Sequence, residues 1–265
     1  MQGHLGDWTR EVVDILTKEP GASQLELLAG WLRKLCVVDH FVLFVYEGNY
    51  RPLALFDTFP SDLRLMFVDD YQTGAYLLDP FFLTSQRFRP EGLYSMRKLA
   101  PDQFYASEYF RTYYHHLGMC EEIGFFTPLS ETGGAVLSLM RRRGSMPYGG
   151  DEIRLLSQTS SVVHAVVRAA WHANQKMGPR ASYDSDHLVR EAFTHFGRGV
   201  LTERECEVAR LLLQGHSNLS VSQCLGISSG TVKVHRKNLY DKLSISSQSE
   251  LLALFIRELK RSTSH

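Results

Sequence analysis

The residues best suited to chemistry lie near the carboxyl end: Thr231, Lys233, Val234, His235, Lys237 and Asn238. At about 100° per residue in a helix, Lys233, Val234, Lys237, Asn238 and Asp241 share one side, while Val232, His235, Leu239 and Leu243 share the other. Two ammonium groups, an amide and a pair of methyls suit the phosphates and base edges of a major groove. Thr231, at the amino end of the same helix, suits a phosphate held beside the helix terminus. A basic helix face is often only a solvated one. The elements around this face decide between the two readings.

Thr202-Glu203-Arg204-Glu205 has the spacing of a capping box, in which the Thr202 hydroxyl accepts the Glu205 amide and the Glu205 carboxylate reaches back. Val208, Leu211 and Leu212 then mark the apolar face of a helix ending near Gly215, and Ser217 caps a short second helix carrying Val221 and Leu225. Gly226-Ile227-Ser228 makes a tight turn, with Ser228 capping the third helix from Ser229 to Leu243. Ser247-Gln248-Ser249-Glu250 opens a fourth helix with Leu251, Leu252, Phe255 and Leu259. Four short helices with a glycine turn between the second and third predict a helix-turn-helix.

This stretch resembles the DNA-binding domain of the LuxR family of bacterial transcription regulators. The resemblance rests on Leu201-Thr202, Arg204-Glu205, Gly215, Ser217-Asn218, Leu225-Gly226-Ile227-Ser228, Thr231-Val232-Lys233-Val234-His235 and Lys242-Leu243. It implies that Lys233, Val234 and Lys237 enter the major groove while Thr231 and His235 hold the backbone. It also implies that the fourth helix pairs with its copy, so that a homodimer reads an inverted repeat in double-stranded DNA. Two positions depart from the family pattern: Leu219-Ser220-Val221-Ser222 replaces Lys-Glu-Ile-Ala, and Gln248 replaces an arginine.

The chain has 265 residues and a net charge of zero, but residues 178–265 hold 12 Lys/Arg against 9 Asp/Glu. Length and composition predict a ligand-sensing α/β domain over residues 1–176, a linker rich in Gly, Pro, Ser and Asp over 177–198, and the helix-turn-helix domain over 199–265. No apolar run is long enough to span a membrane, and Met1–Arg10 lacks the core of a secretory signal. Cys36, Cys120, Cys206 and Cys224 form no C-x-x-C pair, and reduced thiols suit the cytoplasm.

In the first 176 residues, helical periodicity covers Leu5–Leu16 and Leu25–Val37, and a hairpin joins Phe41–Tyr46 to Arg51–Asp57. Helical patches near Asp62–Tyr71 and Ser107–Leu117 precede strands at Glu121–Pro128 and Gly134–Arg142 and a long helix over Asp151–Gln175. Helices at both ends of an antiparallel sheet predict an α-β-α sandwich similar to GAF and PAS sensor modules.

The same region resembles the autoinducer-binding domain of quorum-sensing LuxR members. Phe67 and Tyr71 stand four apart, Asp79-Pro80 follows, Tyr94 lies fifteen beyond Asp79, and Gly124 precedes Phe-Phe-Thr-Pro-Leu. The resemblance implies a small-molecule effector among Phe67, Tyr71, Asp79 and Tyr94. Both tryptophans of that pattern are replaced, which points away from an acyl-homoserine lactone and toward another small polar amine or amide. Independently, a buried aspartate needs a donor, and 21 of the 30 aromatic residues fall between Phe41 and Phe126, enough to enclose a small molecule. The alternative is an interaction or dimerisation module with an aromatic core and no ligand.

Met66-Phe67-Val68-Asp69-Asp70 only superficially resembles a phosphoacceptor receiver. His115-His116, Cys120 and Glu121-Glu122 lack metal-site spacing and read as a polar turn, and Arg141-Arg142-Arg143 reads as a solvated strand end. With no G-x-S-x-G elbow and no phosphate-binding loop, neither catalysis nor a cofactor is expected.

Overall fold

A computed structural model describes residues 2–48, 50–88, 90–115, 118–176, 193 and 196–262. Strands β1 (His40–Glu47), β2 (Leu53–Asp57), β3 (Gly92–Ser95), β4 (Met119–Pro128) and β5 (Gly133–Arg142) form an antiparallel sheet in the order β2-β1-β5-β4-β3. The longer helices are α1 (Gln2–Thr17), α2 (Ala22–Leu35), α3 (Pro80–Arg87), α4 (Gly150–Gln158) and α5 (Ser160–Lys176), then α6 (Glu203–Leu213), α7 (Asn218–Leu225), α8 (Ser229–Leu243) and α9 (Gln248–Ser262).

β1 shows why the sheet is covered on both sides. Phe41, Leu43 and Val45 turn into one apolar layer, Val42, Phe44 and Tyr46 into the other, and all six are buried. An unbroken apolar run is what a strand packed on both faces requires. The first layer is closed by α1, α2 and α5, which contribute Ile15, Leu28, Leu32, Val163, Val167 and Trp171. The second is closed by α3 and by short helical turns between β2 and β4, whose largest buried side chains are Tyr76, Phe81, Phe104 and Tyr109. The expected α-β-α sandwich is therefore present.

Details differ from the sequence reading, among them α3, which lies outside the expected helical patches. The helix expected over Asp151–Gln175 is broken at Thr159, whose amide and hydroxyl both donate to the Leu156 carbonyl, at 2.9 and 2.7 Å. That side-chain bond competes with the helix ladder and tightens its last turn. The four-residue β3 is too short to give a periodicity signal. It forms by pairing with β4, Tyr94 opposite Gly124.

The carboxyl-terminal helices enclose Val208, Leu212, Val221, Val232, Leu239, Leu251 and Phe255. Phe193 and Phe196, from the segment read as linker, meet the Phe255 ring edge-on at 5.4 and 5.5 Å; residues 177–192 lie outside the described residues. The two units touch directly. The Gln103 amide donates to the Gly215 carbonyl at 3.0 Å, and the Ser217 amide to the Asp102 carboxylate at 2.9 Å. Gly215 has φ 92, and a Cβ there would lie 2.8 Å from Phe104 Cα, so a side chain at this corner would conflict with both backbones.

Candidate functional site

The basic face is built by caps. The Thr202 hydroxyl accepts the Glu205 amide at 3.3 Å, and the Glu205 carboxylate accepts the Thr202 amide at 2.8 Å, starting α6. The Ser217 and Ser228 hydroxyls accept the Ser220 and Thr231 amides, starting α7 and α8. Gly226 supplies the left-handed turn between them, at φ 63. At α9 the Ser247 hydroxyl accepts the Glu250 amide, but the Glu250 carboxylate reaches back to the Ser246 amide, one residue before the expected partner.

On α8, Val232 and Leu239 are buried and His235 and Leu243 half-buried, while Thr231, Lys233, Val234, Lys237, Asn238 and Asp241 are exposed. Val234 is 57 % exposed. Lys242 faces back and donates to the Glu205 carboxylate at 2.7 Å, fixing α8 against α6. Burial opposes ionisation of Glu205, but Lys242 and the Thr202 amide and hydroxyl outweigh it and hold the carboxyl below its ordinary range. Gln248, at the position where the family pattern has arginine, donates to the Leu212 carbonyl at 2.6 Å. Leu251, Leu252, Phe255 and Leu259 of α9 pack into the chain's own core.

The second candidate site is a buried chain of hydrogen bonds. Asp79 caps α3, its Oδ1 accepting the Phe81 amide at 2.7 Å, with Pro80 preset at the first helical position. Its Oδ2 accepts from the Tyr71 hydroxyl at 2.6 Å, and the Tyr71 and Tyr46 hydroxyls share a bond of 2.9 Å. Burial raises the Asp79 carboxyl above its ordinary range despite the Tyr71 hydroxyl and the backbone amides. The Tyr46 and Tyr71 phenols are raised as well, first by burial and then by the Asp79 charge, so they remain donors.

Of the four residues the sequence singled out here, only Tyr71 and Asp79 bond each other. The Phe67 ring stacks on Phe59 at 4.9 Å and meets Tyr114 at 6.4 Å. Tyr94 stands on the edge strand, its ring against Phe126 at 5.4 Å and its hydroxyl turned outward to the Glu91 carbonyl. Sequence reasoning missed Tyr46, Tyr109, Tyr114 and Glu122. Glu121 and Glu122 do not sit in a turn; both are buried in β4. Arg97 pairs with Glu121, while burial first and the Asp79 charge second raise the Glu122 carboxyl. The period of two offered a signal, since Glu122 falls on the same face as Gly124 and Phe126. Arg141 also differs from its expected role at a solvated strand end. Its side chain is buried, pairs with Glu152 at 2.6 Å, donates to the Val37 and Met146 carbonyls, and lies over the Tyr148 ring.

The fold and the capped helices define a helix-turn-helix DNA-binding regulator joined to an α/β module. Residues 199–255 match the bacterial regulatory proteins of the luxR family. Over 186 residues the chain is 32 % identical to an HTH-type transcriptional regulator of the exeN 3′ region of Aeromonas salmonicida, covering 68 % of this chain and 94 % of that relative. Over 148 residues it is 46 % identical to the transcriptional regulatory protein SgaR of Hyphomicrobium methylovorum, covering 47 % of this chain and 64 % of SgaR. The crystal structure of the VqsR LBD domain from Pseudomonas aeruginosa shares the fold of the α/β module, with a TM-score of 0.54 and 24 % identity over 66 % of this chain and 99 % of that one. The chain belongs to the LuxR family of bacterial transcription regulators.

Among the described residues, no helix is long and apolar enough to cross a membrane.

Proposed function

We propose that this protein is a ligand-responsive transcription factor of the cytoplasm that binds an inverted-repeat DNA site as a homodimer. Residues 199–265 make the DNA contact, residues 177–198 connect, and residues 1–176 hold the effector. Lys233, Val234, Lys237 and Asn238 read the groove, with Thr231 and His235 on the backbone. The observation that carries this reading is the outward presentation of those four groove-face side chains on a helix capped by Ser228 and fixed to α6 by the Lys242–Glu205 pair.

A duplex selected from a random library by the full chain, then titrated by fluorescence anisotropy across salt concentrations, tests it. Lys233→Ala and Lys237→Ala should each weaken binding and lower the salt slope by about one. Unaltered binding by both variants overturns the groove assignment.

The effector sits among Phe67, Tyr71, Asp79 and Tyr94, with Asp79 accepting from an amide or amine. A small polar amine or amide fits better than an acyl-homoserine lactone, because the tryptophans of that family pattern are absent. Binding controls DNA affinity to the extent that the effector prefers one arrangement of the two units. A module that serves interaction or dimerisation without a ligand is the second reading, favoured by the dense ring packing around Asp79, with Phe44 and Tyr76 at 4.6 and 6.2 Å from Tyr71. Thermal unfolding of the full chain with each ligand class separates the two. A ligand at a hundred times its Kd adds about 2.7 kcal/mol, and a gain lost in Asp79→Ala supports the sensor.

A further inference from the structure

We propose that Glu122 is a second acidic anchor of the effector site and that, with Asp79, it selects a ligand carrying a protonated amine. The inference rests on reading residues 1–176 as a sensor.

Strand alternation puts Glu122 on the face of β4 that meets the Asp79 layer, where it is only 6 % exposed. The Ser138 and Tyr114 hydroxyls act on its carboxyl group, yet among the described residues its Oε2 atom has no partner in hydrogen-bonding geometry, and neither has the Tyr109 hydroxyl. Tyr46, Tyr109 and Tyr114 belong to one buried layer and each lies within the electrostatic reach of both Asp79 and Glu122. Among the described residues, the groups acting on these carboxyls are hydroxyls, backbone amides and, for Glu122, the Asp79 charge.

A buried acceptor without a donor is costly, and a second carboxylate nearby compounds the cost. An ammonium group removes both problems. It brings three donors and no acceptor, and a compensating charge, and aromatic faces attract it further. A neutral ligand does less. Its amide N–H satisfies one carboxyl at most, and a lactone carbonyl only accepts, so it gives an ionised carboxylate nothing.

Isothermal titration calorimetry of the full chain with phenethylamine, tyramine and 1,4-diaminobutane, each against its fully N-acetylated counterpart, tests the proposal. At least one amine should bind, with its acetylated counterpart about tenfold weaker or worse, a difference easily resolved as a free energy. Glu122→Gln keeps the shape and removes the group that can ionise against an ammonium. It should weaken the amine about tenfold and leave any neutral ligand unchanged. Equal amine affinity in wild type and Glu122→Gln overturns the proposal, as does an acetylated compound binding as well as its amine. The latter comparison needs no variant and is indifferent to whether Glu122→Gln folds. Acyl-homoserine lactone binding without any amine binding overturns the amine class and leaves the sensor standing. Binding by neither class overturns both.

Discussion

Glu205 in the DNA-binding unit and Glu122 in the sheet unit are both buried carboxylates, 3 % and 6 % exposed, yet their ionisation moves in opposite directions. Glu205 receives a lysine, a backbone amide and a hydroxyl, and its carboxyl falls below the ordinary range. Glu122 is deeply buried near the charge of Asp79, and its carboxyl rises despite the Ser138 and Tyr114 hydroxyls. Their surface exposure is similar, but Glu122 lies deeper in the protein, and the partners differ as well. Glu205 is thus compensated by a cation of its own unit, while Asp79 and Glu122 of the sheet unit are held by hydroxyls and backbone amides.

The largest effect expected on this contrast comes from Gly124, opposite Ser138 in the sheet. A Cβ there would lie 2.8 Å from both the Phe81 ring and Val136 Cγ1. Phe81 follows Asp79 by two residues, so Gly124→Ala pushes the Asp79 helix away from the strand that carries Glu122. Overpacking of this kind costs about 1–3 kcal/mol, readable in urea denaturation. It should also weaken any effector bound at Asp79, and an unchanged midpoint would show that α3 gives way freely.

A smaller effect follows from making Glu205 resemble Glu122. Lys242→Ala removes the cation and leaves the capping bonds. The carboxyl should rise, with a loss of about 1 kcal/mol; Lys242 is 40 % exposed, and solvent screening keeps the figure low. Thermal or urea denaturation at neutral pH checks the loss. No loss would mean that the cap alone suffices to keep the charge buried.

The two units also differ in how far their sequences reveal them. The caps of α6, α7 and α8 use residues within three positions of one another, so Thr202, Ser217 and Ser228 announce their helices locally. The exposed face of α8 follows from helical period alone. Asp79 comes to notice through the family resemblance, while its role as cap of α3 goes unread, although an Asp-Pro pair is a local signal of a helix start. Its companions are not legible, because Tyr46, Tyr109, Tyr114 and Glu122 come from separate elements that meet only through the sheet order and the packing of short turns. Glu122 was hidden further by its neighbour Glu121, since two adjacent acids imitate a polar turn when the strand's two faces are not read separately. Arg141 was hidden likewise by Arg142 and Arg143, although its guanidinium is the buried one. Clusters of like charge conceal the member that points inward.

The most direct test of the contrast is the pH dependence of stability in wild type, Glu205→Gln and Glu122→Gln, measured by urea denaturation. A carboxyl lowered by folding stabilises the native state above its ordinary range, and that contribution is lost as pH falls through the lowered value. A carboxyl raised by folding stabilises below its ordinary range, and that contribution is lost as pH rises through the raised value. Glu205→Gln should therefore cost most at neutral pH and progressively less on acidification. Relative to wild type, Glu122→Gln should gain stability as pH climbs from the ordinary carboxylate range through neutrality. Parallel slopes for the two variants, or a Glu122→Gln variant that loses ground with rising pH, would contradict the claim that the sheet unit holds an acid without its partner.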